Sequence, residues 1–477
     1  MIALHCLERG KADRAAVRDA RGTWTYGELA AKSETAAARL GRLEGRRVGL
    51  YLDRTRESVA LLLGVLRAGG VAVPFSLKGT PREIEYQTSD AGISRTVTLA
   101  DAAPLLEGSA RFEGPLPSAD AAASILYTSG TTGRPKGVVH THAALASQVD
   151  ILYGAWGWSA GDRLLHVLPL HHVHGLVNGA LGALRAGAEL RFVDSFEAPQ
   201  IWDAFASGEI TVFYAVPTIY HRLAEAWDAA APDLRRSWTA GVGAMRLLVS
   251  GSAALPARLW HRWREMTGQP LLERYGMTEI GMALSNPYRG ERRPGTVGQP
   301  LAGMEVRIVD EEGRDVPTGT PGEIRVRGPS LFREYWGNPG ATRESFRDGW
   351  FLTGDVAILQ DGYVAIQGRA SQDILKSAGY KLSALEIEEV VGEHPAVREV
   401  AVVGLPDPEW GEVVTACVVV KPGARLALEE LRDWCKDKLA PYKVPRRLHL
   451  CESFPRTPLG KVMKKALAAQ ISPVSPT

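Results

Sequence analysis

Leu126-Tyr-Thr-Ser-Gly-Thr-Thr-Gly-Arg-Pro-Lys136-Gly137 is the stretch on which the reading of this chain turns. Three glycines, four Ser/Thr hydroxyls and a lysine follow directly on the apolar run Ala123–Tyr127. Glycines let a loop fold tightly and bring backbone N–H groups against an anion; the hydroxyls and the ammonium add donors and charge. That combination describes a polyphosphate cradle. The G-x-x-x-x-G-K-S/T spacing of the common P-loop is absent. The alternative is a flexible Gly/Ser/Thr linker, which the stiff Pro135-Lys136-Gly137 and the preceding apolar strand would serve poorly.

Bulk properties bound the answer. At 477 residues the chain is long enough for two or more domains and a large core. Hydrophobic residues at 45% and charged residues at 23% are those of an ordinary soluble globular protein. A net charge of +2 without a basic block leaves no electrostatic footprint for nucleic acid, so no nucleic-acid partner is expected. Cys6, Cys417, Cys435 and Cys451 are scattered without a C-x-x-C pair, which implies neither zinc nor a disulfide framework. A reducing, cytoplasmic setting is the expectation. The first ten residues are too polar and acidic for a signal or transit peptide. No apolar run approaches the 18 or so residues needed to span a membrane, so no membrane partner is expected.

Working outward from the loop, the first half alternates strands and helices. Arg47–Leu52 reads as a strand and Arg56–Ala68 as a helix with leucines and valines at helical spacing. Gly69-Gly70 makes a C-cap, and Val71–Pro74 resumes as a strand. The rhythm recurs at Leu164–Pro169, Ala180–Leu184 with Gly187, Val212–Pro217 and Leu247–Ser250. Such alternation argues for parallel sheet covered by helices. Gly295–Ile366 is Thr/Val/Gly-rich and turn-punctuated, which predicts a mostly β segment. A compact α/β unit follows, with helices at Glu386–Gly392 and Leu426–Leu439 and strands at Glu399–Val403 and Thr415–Lys421. The expected organisation is an N-terminal domain over 1–369 and a C-terminal domain over 370–477.

Further motifs carry chemistry. Arg274-Tyr-Gly-Met-Thr278-Glu279 puts a hydroxyl and a hard oxygen ligand at a turn, suited to a phosphate and Mg²⁺; an ordinary strand-end turn is the other reading. Trp350-Phe-Leu-Thr353-Gly354-Asp355 places a carboxylate after a strand, where it can accept from ribose hydroxyls or simply close a turn. Gly368-Arg369-Ala-Ser-Gln-Asp373 sets an arginine on a strand end. Pro455-Arg-Thr-Pro-Leu-Gly460-Lys461 puts a lysine on a stiff turn, although Lys461, Lys464 and Lys465 also read as a solvated helix face.

Taken in order and at these spacings, the five motifs resemble the acyl-adenylate-forming superfamily of acyl-CoA synthetases and adenylation domains, over essentially the whole chain. The resemblance implies an α/β fold: a large N-terminal adenylation (AMP-binding) domain of packed α/β sheets plus a small β-barrel, and a small mobile α+β C-terminal lid. The hinge would be Ala370 or Ser371. It also implies ATP, Mg²⁺ and coenzyme A. Thr128, Ser129, Gly130, Thr131, Thr132 and Lys136 would hold the β- and γ-phosphates. Thr278 would touch the α-phosphate, and Glu279 with Thr128 would serve the metal. Gly251, Ser252, Ala253, Tyr275 and Gly276 would form the adenine pocket, with Asp355 and Arg369 on the ribose. Lys461 would bridge the α-phosphate and the substrate carboxylate, stabilising charge as it develops. For thiolysis, the segment carrying Lys376, Gly379 and Lys381 would replace Lys461 and line the pantetheine tunnel. Ala378 stands where many relatives have a second glycine.

The acid is read from the acyl pocket. His174, in Pro169-Leu-His-His-Val-His174-Gly175, would sit beside the acyl group and assist catalysis. Arg222 and Arg274 flank the pocket, where a fatty or aromatic acid would want apolar walls. A buried arginine facing a distal carboxylate can bind it bidentately, whereas one without an anion is costly. Against this stand a surface pair of Arg274 with Glu273 and a solvated helix position for Arg222. The stretches His171–Gly175, Leu248–Pro256 and Glu273–Glu279 resemble malonyl-CoA and methylmalonyl-CoA synthetases. The resemblance implies malonate or methylmalonate as substrate, with Arg274 on the distal carboxylate and Arg222, His174 and Ser250 in support. The alternatives are a synthetase for another small acid, an adenylation enzyme that loads a carrier protein, and a silent acyl-adenylate sensor. The sensor would require damage to Lys461, Glu279 or the phosphate loop, and none is present.

Overall fold

The structure, a computed structural model, describes residues 1–128, 135–377, 380–407, 409–456 and 462–471. The chain divides into two compact units. The first comprises Met1–Leu255, Leu259–Val306 and Val326–Phe351; the second comprises Pro256–Arg258, Arg307–Arg325 and Leu352–Thr477.

The strand–helix alternation expected of the first unit is present. The helix Arg56–Arg67 starts on Thr55, whose hydroxyl accepts from the Ser58 N–H at 3.3 Å. It ends where Gly69 takes φ +79°, with Gly69 N–H on the Leu66 carbonyl and Gly70 N–H on that of Val65, at 3.2 and 2.9 Å. This is a Schellman closure, which needs a residue free to adopt positive φ. The chain can therefore turn at once into the buried strand Val71–Phe75.

Two sheets organise this unit. A six-stranded sheet runs in the order Glu334–Tyr335, Lys136–Thr141, Ala122–Thr128, Val71–Phe75, Arg47–Tyr51, Arg95–Val97. A nine-stranded sheet runs Gln299–Pro300, Gly281–Ser285, Leu272–Met277, Leu247–Ser250, Val212–Ala215, Arg163–His166, Glu189–Phe192, Ala15–Asp19, Gly22–Thr25. From Leu272–Met277 to Ala15–Asp19 every pairing is parallel, so the strands share one carboxyl edge. Ligands of open α/β sheets sit at that edge.

The segment from Gly295 to Ile366, expected to be mostly β, contributes Gln299–Pro300 and Glu334–Tyr335 to the two sheets above and otherwise forms a five-stranded sheet. Its strands are Glu305–Val309, Gly322–Arg327, Phe346–Arg347, Trp350–Gln360 and Tyr363–Arg369. The α/β unit expected next is built on Tyr380–Ser383, Ile374–Ser377, Gly411–Val420 and Val397–Asp407, with Arg447–Leu450 beside Gly411–Val420. Along Gly411–Val420, Val414, Ala416 and Val418 pack into one core while Val413, Cys417 and Val419 pack into another. A strand buried on both faces reads as a continuous apolar run, as this one does. The helices Ala384–Gly392 and Leu428–Lys436 cover one of those faces.

Candidate active site

The two shoulders of the phosphate loop are register partners: Thr128 lies opposite Lys136 in the antiparallel pairing of Ala122–Thr128 with Lys136–Thr141. Ser129, Gly130, Thr131 and Thr132, read as the cradle itself, lie outside the described residues. The shoulders are pinned from several sides. Tyr127 donates its hydroxyl to Asp90 at 2.6 Å, and Tyr86 donates to the Pro135 carbonyl at 2.9 Å. Gly137 is a glycine for steric reasons, because a Cβ there would stand 2.8 Å from Ile125 Cγ2. Lys136 Nζ lies 4.8 Å from the centre of the Tyr335 ring.

Thr278 and Glu279 occupy the turn between the antiparallel strands Leu272–Met277 and Gly281–Ser285, as the sequence predicts. Gly276 has no room for a side chain: a Cβ would approach the Gly281 carbonyl oxygen to 2.0 Å. The turn is held by His140, whose Nε2 lies 2.7 Å from the Thr278 carbonyl and must donate to it. Burial pushes the His140 pKa down to about 4, so the ring is neutral at ordinary pH. Glu279 is buried, and the Tyr335 hydroxyl donates to its Oε1 at 2.9 Å. No cluster of three or more His, Cys, Asp or Glu suited to a metal occurs among the described residues. Mg²⁺ does not need one, since it binds through one or two carboxylates, substrate phosphates and retained waters. A single buried carboxylate on a turn with Thr278, sharing Tyr335 with the Lys136 ammonium, fits that mode.

Arg274, Ser250 and His174, read from the sequence as lining the acyl pocket, are buried, and the first two lie toward the carboxyl edge of the nine-stranded sheet. Arg274 is only 4% exposed, and its Nε and Nη2 have no hydrogen-bond partner among the described residues. Burial lowers its pKa to about 10. Alternate residues of a strand face opposite ways, so Glu273 and Arg274 project to opposite faces, and Arg274 enters no ion pair among the described residues. The surface pair with Glu273 is therefore excluded. The guanidinium packs on Gly251, where a Cβ would meet its Cζ at 2.4 Å.

Ser250, at the end of the strand Leu247–Ser250, is fully buried, and its hydroxyl has no partner among the described residues. Ser252 takes φ +71°, uncommon for a residue with a side chain, and its Oγ lies 3.1 Å from His174 Nδ1. His174 opens an eight-residue π-helical stretch, His174–Leu181. Such wide turns gather at functional sites. Burial first, and then the Arg274 charge, holds His174 neutral. Were the Ser252 hydroxyl to donate to Nδ1, the ring proton would sit on Nε2, which has no partner among the described residues. Arg222 is different: it is exposed, on the helix Pro217–Ala229.

In the second unit, Asp355 and Arg369 are register partners across an antiparallel pair and bond at 3.0 Å, Nε to Oδ1. The Arg369 N–H donates to Asp373 at 3.0 Å, and Gly368 takes φ +123° beside it. Lys376 is exposed and pairs in register with Lys381, whose side chain lies outside the described residues, as do Gly379 and Lys461. Lys464 departs from the solvated tail that the sequence suggests. Its Nζ lies 2.6 Å from both Asp373 Oδ1 and Glu388 Oε1, and the side chain is 11% exposed. Its partners are 91 and 76 residues away in sequence, so no local pattern could show the burial. Tyr335 and His140 were missed for the same reason.

Residues 5–336 match the AMP-binding enzyme family and residues 386–461 match the AMP-binding enzyme C-terminal domain. A mitochondrial malonate–CoA ligase of Mus musculus is 43% identical over 97% of this chain and 89% of its own. ATP-bound MatB from Rhodopseudomonas palustris superposes with a TM-score of 0.90 at 35% identity, covering 98% of each chain. A malonyl-CoA ligase in a ternary product complex with methylmalonyl-CoA and AMP superposes with a TM-score of 0.70 at 40% identity, covering 94% of this chain and 99% of that one. No helix among the described residues is long and apolar enough to cross a membrane.

Proposed function

The chain belongs to the AMP-binding enzymes and is an adenylate-forming acid–thiol ligase, and on that premise we propose that its acid is malonate, with methylmalonate as a close alternative. The reaction consumes ATP and coenzyme A and yields the acyl-CoA, AMP and pyrophosphate. The observation that carries this reading is Arg274. A guanidinium buried to 4% exposure, with Nε and Nη2 unpartnered among the described residues, is poorly stable without an anion. Malonate brings a carboxylate that does not react, and the planar fork of an arginine matches it. Ser250 Oγ and His174 Nε2–H are further donors left open in the same neighbourhood. A neutral His174 suits this role, because it donates without adding a second buried charge beside Arg274. The likeness to the malonate–CoA ligase of Mus musculus and to the malonyl-CoA ligase solved with methylmalonyl-CoA and AMP supports the same choice.

With one carboxylate held, the other attacks the α-phosphorus of ATP. The new bond is carboxylate oxygen to phosphorus, the bond that breaks joins the α- and β-phosphates, and pyrophosphate leaves. Thr128 and Lys136, with Ser129, Gly130, Thr131 and Thr132, would hold the departing phosphates, and Thr278 would donate to the α-phosphate. Two anions must meet for this step, so cationic charge lowers its barrier. Mg²⁺ on Glu279 would supply charge neutralisation when bound. Lys461 would supply the cation nearest the reacting oxygens. Asp355, oriented by Arg369, would accept from the ribose. In the second step the thiol of coenzyme A attacks the acyl carbon and AMP departs, with Lys376, Gly379 and Lys381 along the thiol path.

The test is AMP release with ATP, Mg²⁺ and coenzyme A across malonate, methylmalonate, succinate, acetate and benzoate. Malonate or methylmalonate should lead in kcat/KM by at least tenfold over acetate and benzoate. Benzoate or acetate in front would refute the assignment.

A further inference from the structure

A short segment that no motif reading singled out stitches the two halves of the nucleotide site together. The Arg333 N–H donates to the Val139 carbonyl at 2.8 Å and the Trp336 N–H to that of Gly137 at 2.7 Å, which fixes the segment to the strand leaving the phosphate loop. The Phe332 N–H donates to the Glu279 carbonyl and the Ser330 hydroxyl to that of Ile280, each at 2.7 Å, which fixes it to the Thr278–Glu279 turn. Tyr335 sits where the two attachments meet. Its hydroxyl bonds the Glu279 carboxylate at 2.9 Å, and its ring carries the Lys136 ammonium at 4.8 Å.

We propose that Tyr335 is a positioning residue that couples the divalent cation to the nucleotide phosphates: its hydroxyl orients Glu279 for Mg²⁺ and its ring face orients Lys136 for phosphate. Packing alone does not account for the hydroxyl. The ring belongs to an aromatic cluster whose other members are phenylalanines, Phe332, Phe346 and Phe351, with neighbouring centroids 4.8 to 5.6 Å apart. Only Tyr335 among these four carries an oxygen, and that oxygen meets the carboxylate. A hydrogen bond to one carboxylate oxygen fixes the plane of the group and sets which lone pairs face the cation, as partners of metal ligands commonly do. The ring beneath Lys136 restricts a long flexible ammonium by cation–π attraction. A single side chain thus holds an anion for the metal and a cation for the phosphates, so loss of the hydroxyl and loss of the ring have separable effects.

The inference rests on the reading of Glu279 as the Mg²⁺ ligand, and the experiment tells the two apart. ATP binding is followed by titration calorimetry across a range of Mg²⁺ concentrations for wild type, Tyr335→Phe, Tyr335→Leu, Phe332→Leu and Glu279→Gln. Tyr335→Phe should raise the Mg²⁺ concentration for half-saturation by about tenfold. Its ATP affinity at saturating Mg²⁺ should stay within about threefold of wild type, since the ring remains. Tyr335→Leu should weaken ATP binding at saturating Mg²⁺ as well. Phe332→Leu, which disturbs the same cluster, should lower the melting temperature without moving the Mg²⁺ requirement. If Tyr335→Phe leaves that requirement unchanged, or Phe332→Leu shifts it equally, the proposal fails. If Glu279→Gln itself leaves it unchanged, the reading of Glu279 is what fails.

Discussion

Two arginines at opposite ends of the same strand, Arg246 and Arg274, show how this protein separates structure from function. Arg246 stands just before the strand Leu247–Ser250, and Arg274 packs on Gly251 just after it. Both are taken largely out of water. Arg246 finds its anion within the chain: Nε and Nη2 meet the two oxygens of Asp162 at 2.5 and 2.8 Å, and Nη1 donates to the Trp156 carbonyl at 2.8 Å. Burial lowers its pKa, but the Asp162 bonds outweigh that and the net shift is upward. For Arg274 the lowering by burial stands, offset only in part by Tyr214. The same residue type thus has its counter-charge built in at the amino edge of the sheet and, among the described residues, none at the carboxyl edge. The sheet's topology explains the placement, because loops leaving the carboxyl ends of parallel strands are where sites form.

The comparison can be broken from either side. Asp162→Ala leaves Arg246 as a buried unpaired charge, and urea unfolding should show a loss of about 3–5 kcal/mol. The ratio of malonate to propionate kcat/KM in the folded fraction should not change. A loss below about 1 kcal/mol would remove the pair's role as anchor. Gly251→Ala acts at the other end. Its methyl would overlap the Arg274 guanidinium, with Cζ at 2.4 Å and Nε and Nη1 at 2.6 Å. Displacing a binding group by roughly 1 Å costs up to about a hundredfold, so malonate KM should rise about tenfold or more. An unchanged KM would show that the guanidinium does not contact the acid. Arg222→Ala should have the smallest effect. The side chain is exposed, exposed ionic contacts are worth up to about 1 kcal/mol, and so the loss in malonate kcat/KM should not exceed about fivefold. A larger loss would place Arg222 beside Arg274 as a ligand.

Local chemistry made much of this molecule legible in the sequence. The helix Arg56–Arg67, its glycine closure and the strand after it follow from spacing and from the positive φ that Gly69 takes. The turn carrying Thr278 and Glu279 was visible because motif and strand end coincide, whereas the pairing of Thr128 with Lys136 was not read from the sequence. What the sequence could not show depends on contacts far along the chain. Glu279 and Tyr335 are 56 residues apart, His140 and Thr278 138 apart, and Lys464 and Asp373 91 apart. The fate of Arg274 was ambiguous for a related reason: Glu273 beside it suggests an ion pair, and only the alternation of a strand whose two faces are both buried separates them. Lys464 was misread because a run of basic residues near a terminus looks the same whether it is solvated or, as here, clasped between two carboxylates.

The central claim, that Arg274 binds the unreactive carboxylate of the acid, is tested most directly by a cycle of two acids and two proteins. Malonate and propionate, which differ in that carboxylate, are compared by ATP–pyrophosphate exchange in wild type and Arg274→Met. The account predicts that malonate kcat/KM falls by about 3–5 kcal/mol, two to nearly four orders of magnitude. Propionate should change by no more than about threefold, with ATP binding retained. Equal losses for the two acids, or an unchanged malonate rate, would contradict it.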